Sequence, residues 1–268
     1  MNRFTRAFAR LGREHACGLF PYLMAGFPDV STSHALAEAA LSAGADGFEI
    51  AVPFSDPLAD GATMQRVNSR ALAGGANLDS ALDLVRAVRQ RSPETPLALM
   101  SYYNPLRQRG DRRIAQELAE AQADAVIVPD VPAEEVGELN AALRANGLGL
   151  APLLAPTSTR ERIRAVGALE PVFIYCVALV GVTGARQDVA ASLGEFLERV
   201  HAETSAPLVV GFGISSPEHV QRVAHLGASG AIVASALVDL IERSDAPVAA
   251  AQQYLREMKA GGLSPVTT

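Results

Sequence analysis

The sequence predicts a closed (β/α)8 barrel, and three observations support this fold class. Short apolar runs recur eight times, and most of them are followed by a segment with helical periodicity. Alternating strands and helices require parallel pairing, because each crossover returns the chain to the same end of the sheet. The first turn, Ala25–Pro28, lacks the Gly-x-Gly-x-x-Gly pattern of a doubly wound nucleotide-binding sheet. Eight units in about 250 residues therefore indicate an α/β fold of the TIM-barrel type.

The predicted elements begin with an extra N-terminal helix, in which Phe4, Phe8 and Leu11 follow helical spacing. The eight predicted strands are Leu19–Ala25, Gly47–Val52, Leu97–Tyr102, Ala125–Val128, Gly149–Leu154, Val172–Val177, Leu208–Gly211 and Ala231–Val233. Helical patterns lie between them at Ser33–Ala43, Leu78–Arg91, Arg112–Gln122, Ala133–Asn146, Thr159–Val166, Leu193–Glu203 and Pro217–Leu226. A further helix is expected to begin at Ser235. No linker or low-complexity segment interrupts residues 1–268, which we predict to be a single TIM-barrel domain.

Composition and charge narrow the class of protein. Hydrophobic residues make up 49% of the chain and charged residues 19%, which is typical of a globular protein with a deep core. The net charge of −6 argues against a nucleic-acid partner, which would favour a basic face. No apolar stretch approaches the roughly 20 residues that a membrane-spanning helix needs. We therefore expect neither nucleic acid nor membrane among its partners.

The N-terminal arginines and the cysteines bear on the location of the protein. Four arginines among residues 1–13 would suit a transit peptide, but we interpret them as the polar face of the first helix. Cys17 and Cys176 allow at most one disulfide, and the predicted barrel places them at opposite ends. These features are typical of a reduced, cytoplasmic protein.

Glu49 is the first candidate for catalysis, because it lies inside the apolar run Gly47–Val52. Burying a carboxylate there costs free energy of folding, which indicates a functional role. Strand alternation puts Glu49 and Ala51 on one face, and the bulky Phe48 and Ile50 on the other, against the outer helices. We therefore expect Glu49 to point into the barrel near its C-terminal rim, where barrel enzymes carry their chemistry. Apolar surroundings would raise its pKa and suit it to proton transfer. The alternative is a buried ion pair with an arginine.

Asp60 and the glycine-rich turns are weaker signals individually. Asp60 ends the loop that follows the second strand, where an aspartate before glycine is equally typical of a turn; Asp56 and Asp130 share this ambiguity. Gly184, Gly213 and Ser235 follow the sixth, seventh and eighth predicted strands. Barrels commonly bind phosphate with such turns and a helix N-terminus. The alternative is that these glycines only make tight turns.

Several kinds of chemistry lack the residues that they need. The single lysine, Lys259, lies far from any predicted strand end, which excludes a Schiff-base mechanism. None of the histidines follows a strand, so we expect no metal site of the usual zinc type; they are His15, His34, His201, His219 and His225. Cys176 has no histidine beside it in the predicted fold and reads as a packing thiol. With these alternatives excluded, the sequence favours proton transfer by carboxylates, acting on a phosphorylated small molecule.

The chain resembles the tryptophan synthase alpha chain family over essentially its whole length. The segment Ser55–Gly61, which ends with Asp60 and follows Glu49, is the part most specific to that family. The other matching motifs are Tyr22–Pro28, Tyr102–Pro105, Asp130–Pro132, Leu154–Ser158, Gly181–Gly184 and Gly211–Pro217.

The resemblance implies a carbon–carbon lyase that cleaves indole-3-glycerol phosphate by a retro-aldol reaction to indole and glyceraldehyde 3-phosphate. Glu49 would be the acid–base group, Asp60 would hold the indole N–H and stabilise positive charge, and Tyr175 would position Glu49 or the substrate. Thr183 would meet Asp60 when its loop closes. The remaining implied substrate-binding residues are Tyr22, Met100 and Tyr102 around the indole, and Gly184, Phe212, Gly213, Ala234 and Ser235 around the phosphate.

The family also implies a partner, a beta chain that carries pyridoxal phosphate in an α2β2 heterotetramer, while the alpha chain itself needs no cofactor. The loop Pro53–Asp60 and the loop after the sixth strand would face that partner. Three departures from the family pattern are Ala51 and Ala234, which replace glycines, and Ala178–Val180, which replaces a more polar stretch. The altered loop before Gly181 motivates a second hypothesis, a catalytically weak subunit that mainly activates a beta chain. A third, another phosphosugar barrel, would typically need a barrel lysine.

Overall fold

A computed structural model of the protein describes residues 2–177, 186–211 and 213–263. Its parallel strands form a single curved sheet that makes the wall of the barrel. The strands are β1 Gly18–Met24, β2 Phe48–Ala51, β3 Leu97–Met100, β4 Ala125–Ile127, β5 Gly149–Leu150, β6 Leu153–Leu154, β7 Ile174–Val177, β8 Leu208–Gly211 and β9 Gly230–Val233. Each pairs in parallel with its neighbours in the order β5-β4-β3-β2-β1-β9-β8-β7-β6. The predicted parallel architecture is confirmed.

The two ends of this order belong to one stretch of chain, so the ring closes through the polypeptide itself. β5 and β6 are separated only by Ala151 and Pro152. The Ala151 N–H donates to Val126 O at 2.9 Å on one side, and Pro152 O accepts from the Tyr175 N–H at 2.9 Å on the other. The predicted strand Gly149–Leu154 is therefore split in two, because proline has no N–H to donate to a ladder.

Helices surround the barrel and connect the strands. They are α1 Arg3–Arg13, α2 Val30–Ser42, α3 Ala62–Ala73, α4 Leu78–Arg91, α5 Tyr103–Arg109, α6 Asp111–Glu120, α7 Gly137–Ala145, α8 Arg160–Gly167, α9 Arg186–His201, α10 Pro217–His225, α11 Ser235–Arg243 and α12 Pro247–Gly262. The predicted N-terminal helix and the start at Ser235 are confirmed. Helices α3 and α5 were not predicted. Gly110, with φ of +86°, separates α5 from α6.

Helix α1 packs against the N-terminal end of the barrel. Phe4 and Phe8 contact the rings of Phe20 and Phe173, with centroid separations of 5.1 to 6.1 Å. Phe20 itself points into the barrel, where a Cβ at Gly47 would lie 2.8 Å from its ring. This end of the barrel is therefore filled with aromatic side chains and is a packed core.

Ion pairs to the buried carboxylate of Asp46 connect elements at the N-terminal end of the barrel. Asp46, just before β2, bonds to the Lys259 ammonium, to Arg10 at 2.7 Å and to the Leu19 N–H at 2.9 Å. Lys259 therefore lies at the end of the barrel opposite to the C-terminal rim, in agreement with the prediction. Within the described ranges, no helix is both long and apolar enough to cross a membrane.

Candidate active site

Glu49 points into the barrel, as strand alternation predicts. It lies level with Tyr22 of β1 and Ala98 of β3 in the parallel register, and it is 4% exposed. Burial first, and the nearby carboxylate of Asp60 second, raise the pKa of Glu49 to about 8. No arginine is among the causes of this shift, and Oε2 of Glu49 has no hydrogen-bond partner among the described residues. A buried polar atom of this kind requires an explanation, and a structural ion pair does not supply it.

Asp60 lies close to Glu49, although eleven positions separate them along the chain. Burial raises the pKa of Asp60 to about 6, against the opposing effect of hydrogen bonds from Tyr102 and Asn68. The Asn68 amide donates to Asp60 Oδ2 at 3.1 Å, and the Gln65 side chain donates to the Asp60 backbone oxygen at 2.9 Å. Both donors belong to α3. Asp60 is therefore held in place by the helix that follows its loop, and is more than a turn residue.

Buried phenols surround the carboxylate pair. The pKa of Tyr22 on β1 is raised well above its usual value by burial, then by Asp60 and Glu49. The pKa of Tyr175 on β7 is raised in the same way, by burial, then by Glu49 and Asp60. Both hydroxyls therefore stay protonated near neutral pH and can donate hydrogen bonds within the barrel.

Tyr102 joins the loop after β2 to the loop after β3. Its hydroxyl accepts the Ala59 N–H at 2.9 Å, and its ring stacks on Phe54 at a centroid distance of 5.3 Å. Met100, at the end of β3, pairs in register with Ala51 of β2, which puts both side chains on the same face as Glu49. Two predicted members of an apolar slot, Met100 and Tyr102, therefore lie on the side of the barrel where Glu49 and Asp60 meet.

The other loop aspartates make local contacts. Asp130 accepts the Tyr103 N–H at 2.9 Å, at the start of α5, and thereby supplies a helix terminus with an acceptor. Asp56 is exposed and bonds to the Ser55 hydroxyl at 2.5 Å. Neither faces Glu49 in the way that Asp60 does, since neither contributes to the shift of its pKa.

The predicted phosphate turns are described in part. Ser235 is the first residue of α11, and Ala234 is the residue before it, so their N–H groups lie at a helix N-terminus that favours anions. Gly213 follows β8 with φ of +72°, a left-handed conformation that suits glycine. Thr183, Gly184 and Phe212 lie outside the described residues, and so does the departure at Ala178–Val180.

Cys176 agrees with its interpretation as a packing thiol. It is buried and unpaired, and burial raises its pKa to about 12, so the reactive thiolate is disfavoured near neutral pH. Cys17 is also buried and unpaired. Within the described part of the chain, no cluster of histidine, cysteine and acidic side chains has the arrangement that a metal ion needs.

Sequence reasoning missed Asn68, which contacts Asp60 from α3. A signal for it exists, because Met64, Val67, Asn68 and Ala71 have the i, i+3, i+4, i+7 spacing of a buried stripe. An asparagine within an apolar stripe must satisfy its amide in the interior, and so predicts a specific polar partner.

Fold and site together define a (β/α)8-barrel protein with two neighbouring carboxyl groups of raised pKa on the C-terminal side of the barrel. The family model described as "Tryptophan synthase alpha chain" matches residues 8–263. The tryptophan synthase alpha chain of Roseiflexus sp. (strain RS-1) is 49% identical over 261 residues, which cover 97% of this chain and 100% of that protein.

Solved structures agree with this relationship. Tryptophan synthase subunit alpha from Legionella pneumophila str. Paris superposes with a TM-score of 0.89 at 33% identity, covering 97% of this chain and 98% of that one. A chain of the M. tuberculosis tryptophan synthase, in an aminoacrylate-bound form, gives 0.88 at 29% identity, covering 98% and 100%. The chain belongs to the tryptophan synthase alpha chain family. Its role is that of the alpha subunit in tryptophan biosynthesis, which is a lyase role.

Proposed function

We propose that this chain cleaves indole-3-glycerol phosphate to indole and glyceraldehyde 3-phosphate by a retro-aldol reaction. The observation that carries the proposal is the buried Glu49, whose pKa of about 8 keeps it largely protonated at neutral pH beside the carboxylate of Asp60. A pair of carboxyl groups with pKa values pushed apart can supply an acid and an anion in the same site. Membership of the alpha chain family supports the choice of substrate.

Glu49 is the acid and then the base of this reaction. In its protonated form it gives a proton to C3 of the indole ring, which leaves positive charge on the ring nitrogen. The resulting Glu49 carboxylate then accepts the proton of the hydroxyl group on the carbon next to the ring. The bond between that carbon and C3 breaks, its electron pair returns to the ring, and the side chain leaves as an aldehyde. Glu49 ends the cycle protonated, as it began.

Asp60 supplies the negative charge that the intermediate needs. Its pKa of about 6 keeps it ionised at neutral pH, where it accepts the indole N–H and stabilises the positive charge that develops on the ring. Tyr175 donates a hydrogen bond that positions Glu49 or the substrate. Met100 and Tyr102, with Tyr22, border the indole ring.

The phosphate of the substrate binds, in this proposal, at the turns after the last strands. The N–H groups of Gly184, Gly213, Ala234 and Ser235 provide the contacts, with Phe212 beside them, and the N-terminus of α11 adds favourable electrostatics. Thr183 contacts Asp60 when its loop closes over the substrate and excludes water.

The proposed partner is a beta chain in an α2β2 heterotetramer, and pyridoxal phosphate belongs to that beta chain. The loop Pro53–Asp60 is the proposed contact surface, and the 90% exposure of Leu58 on this loop supports it, because a large exposed apolar side chain is typical of an interface. Pyridoxal phosphate is bound through a Schiff base to a lysine. The single lysine of this chain, Lys259, binds Asp46 at the opposite end of the barrel, which supports an alpha chain without a cofactor. A cytoplasmic location is proposed from the two unpaired cysteines.

Indole release from indole-3-glycerol phosphate, with and without a cognate beta chain, tests the proposal. Slow release alone and a large increase with the beta chain are the expected results. No release in either condition, together with activation of the beta-chain reaction, would favour the second hypothesis, a catalytically weak subunit that mainly activates its partner.

A further inference from the structure

Asn68 has a hydrogen-bond partner for each of its two amide N–H groups and for its amide oxygen. It lies on α3 with 2% of its surface exposed. Its Nδ2 donates to Asp60 Oδ2 at 3.1 Å and to Met64 O at 2.9 Å, while its Oδ1 accepts the Phe54 N–H at 2.8 Å. The three partners agree on a single orientation of the amide, because Met64 O can only accept and the Phe54 N–H can only donate.

These bonds connect the two ends of the loop that carries Asp60. Phe54 is near the start of the loop and Asp60 near its end, and both are bound to the same side chain. Tyr102 makes the complementary connection from the other side, since it stacks on Phe54 and accepts the Ala59 N–H. The position of the Asp60 carboxylate relative to the indole slot therefore depends on Asn68.

Asn68 is also the neutral donor in an otherwise acidic and phenolic neighbourhood. Among the described residues, the titratable groups that face Asp60 are Glu49 and the phenols of Tyr22, Tyr102 and Tyr175. A second negative charge at this place would oppose the ionisation of Asp60, whereas an amide N–H favours it.

We infer that Asn68 is a positioning residue for the cleavage reaction, which holds Asp60 in the geometry and the ionised form that the indole ring requires. The inference rests on the proposed function. It extends the site to α3, from which Asn68 binds the Asp60 carboxylate and Gln65 binds only the Asp60 backbone oxygen. Asn68 does not contact the substrate itself and acts through Asp60.

Two substitutions separate the contacts of Asn68. Asn68→Asp keeps the shape and the oxygen that accepts the Phe54 N–H, but it cannot donate to Asp60 and adds a charge beside it. Asn68→Ala removes all three hydrogen bonds of the side chain. Asn140→Ala is the matched control, because Asn140 is also a buried helical asparagine, on α7, and its amide donates only to Leu169 O, at 3.3 Å, among the hydrogen bonds of the described residues.

The readouts are kcat, KM and the pH profile of indole release in the complex with the beta chain, at a temperature below the unfolding of each variant. We expect both Asn68 variants to lower kcat about 10- to 100-fold with a smaller change in KM, since a displaced catalytic group costs that much. The acidic limb of the kcat/KM profile should move to higher pH, and further in Asn68→Asp than in Asn68→Ala. Asn140→Ala should lower the Tm without moving the limb.

Unchanged kcat and an unmoved acidic limb in Asn68→Asp would overturn the inference, and so would a loss of Tm alone in both variants. The wild-type protein in the same assay distinguishes this failure from failure of the proposed function. If the wild-type chain releases indole and the variants match it, only the role of Asn68 is wrong; if the wild-type chain releases none, both proposals fall.

Discussion

The phenol of Tyr175 on β7 occupies the space above the α-carbon of Gly211 on β8. A Cβ built at Gly211 overlaps the hydroxyl oxygen and the neighbouring ring carbons of Tyr175. The two residues are diagonal neighbours, because Gly211 pairs in register with Val177, two positions after Tyr175. Any side chain at position 211 must therefore displace a phenol that faces Glu49.

Gly211→Ala should consequently lower both stability and activity. We expect a loss of about 1–3 kcal/mol in the free energy of unfolding, which is usual for overpacking, together with a lower kcat for indole release. Adding Tyr175→Leu should restore much of the stability and none of the activity. Gly12→Ala is the control, because nothing lies within 4 Å of its added Cβ on α1. Additive effects of the two substitutions on the Tm would contradict the overlap.

The pH dependence of kcat/KM should be bell-shaped. Activity needs an ionised Asp60 and a protonated Glu49, whose pKa values are about 6 and about 8. Activity should therefore fall as the pH drops below about 6 and again as it rises above about 8, and the two limbs belong to the coupled pair. A profile that stays flat up to pH 9 would contradict the assignment of Glu49 as the acid.

Glu49 should also reduce the stability of the free chain as the pH rises. Its pKa is raised from about 4.5 to about 8 on folding, so between these values the folded protein binds more protons than the unfolded chain. Stability from this group is therefore present at low pH and lost as the pH rises through 8. The Tm of Glu49→Gln should exceed that of wild type by an amount that grows from pH 5 to pH 9; a constant difference across this range would contradict the raised pKa.

The N-terminal end of the barrel should affect stability without affecting activity. Asp46 is buried and bonds to Arg10, Lys259 and the Leu19 N–H, so Asp46→Asn leaves charges without their partner. We expect a loss of about 3–5 kcal/mol in the free energy of unfolding, with unchanged kcat and KM where the protein is folded.

Asp83→Asn provides the comparison for this prediction, because Asp83 pairs with Arg86 on an exposed helix face and should contribute less than about 1 kcal/mol. Chemical denaturation of both variants measures the two losses. Equal losses in the free energy of unfolding would contradict the prediction that the buried Asp46 contributes more stability than the exposed Asp83.

Local patterns account for the parts of this molecule that could be predicted. Strand alternation alone points Glu49 inward, because Phe48 and Ile50 are bulky and Ala51 is small. The helix α3 could not be predicted with the same ease, since its N-cap, Gly61, makes no side-chain capping bond.

Long-range contacts explain what sequence reasoning missed. The hydrogen bond from the Ala59 N–H to the Tyr102 hydroxyl joins residues 43 positions apart, and no local sequence pattern predicts it. The role of Asn68 depends on the same loop geometry, although its place in an apolar stripe was visible. The break at Pro152 within the fifth barrel strand was also visible, as a proline inside a continuous apolar run.

Single-turnover indole release by Glu49→Gln in the beta-chain complex tests the central claim most directly. Glutamine keeps the shape of the side chain but cannot transfer a proton. Glu117→Gln is the matched control, because Glu117 pairs with Arg109 and Arg113 on the outer helices. We expect Glu49→Gln to slow release at least about 100-fold, while Glu117→Gln stays near wild type. Release by Glu49→Gln at the wild-type rate would contradict the acid–base role of Glu49 and the mechanism built on it.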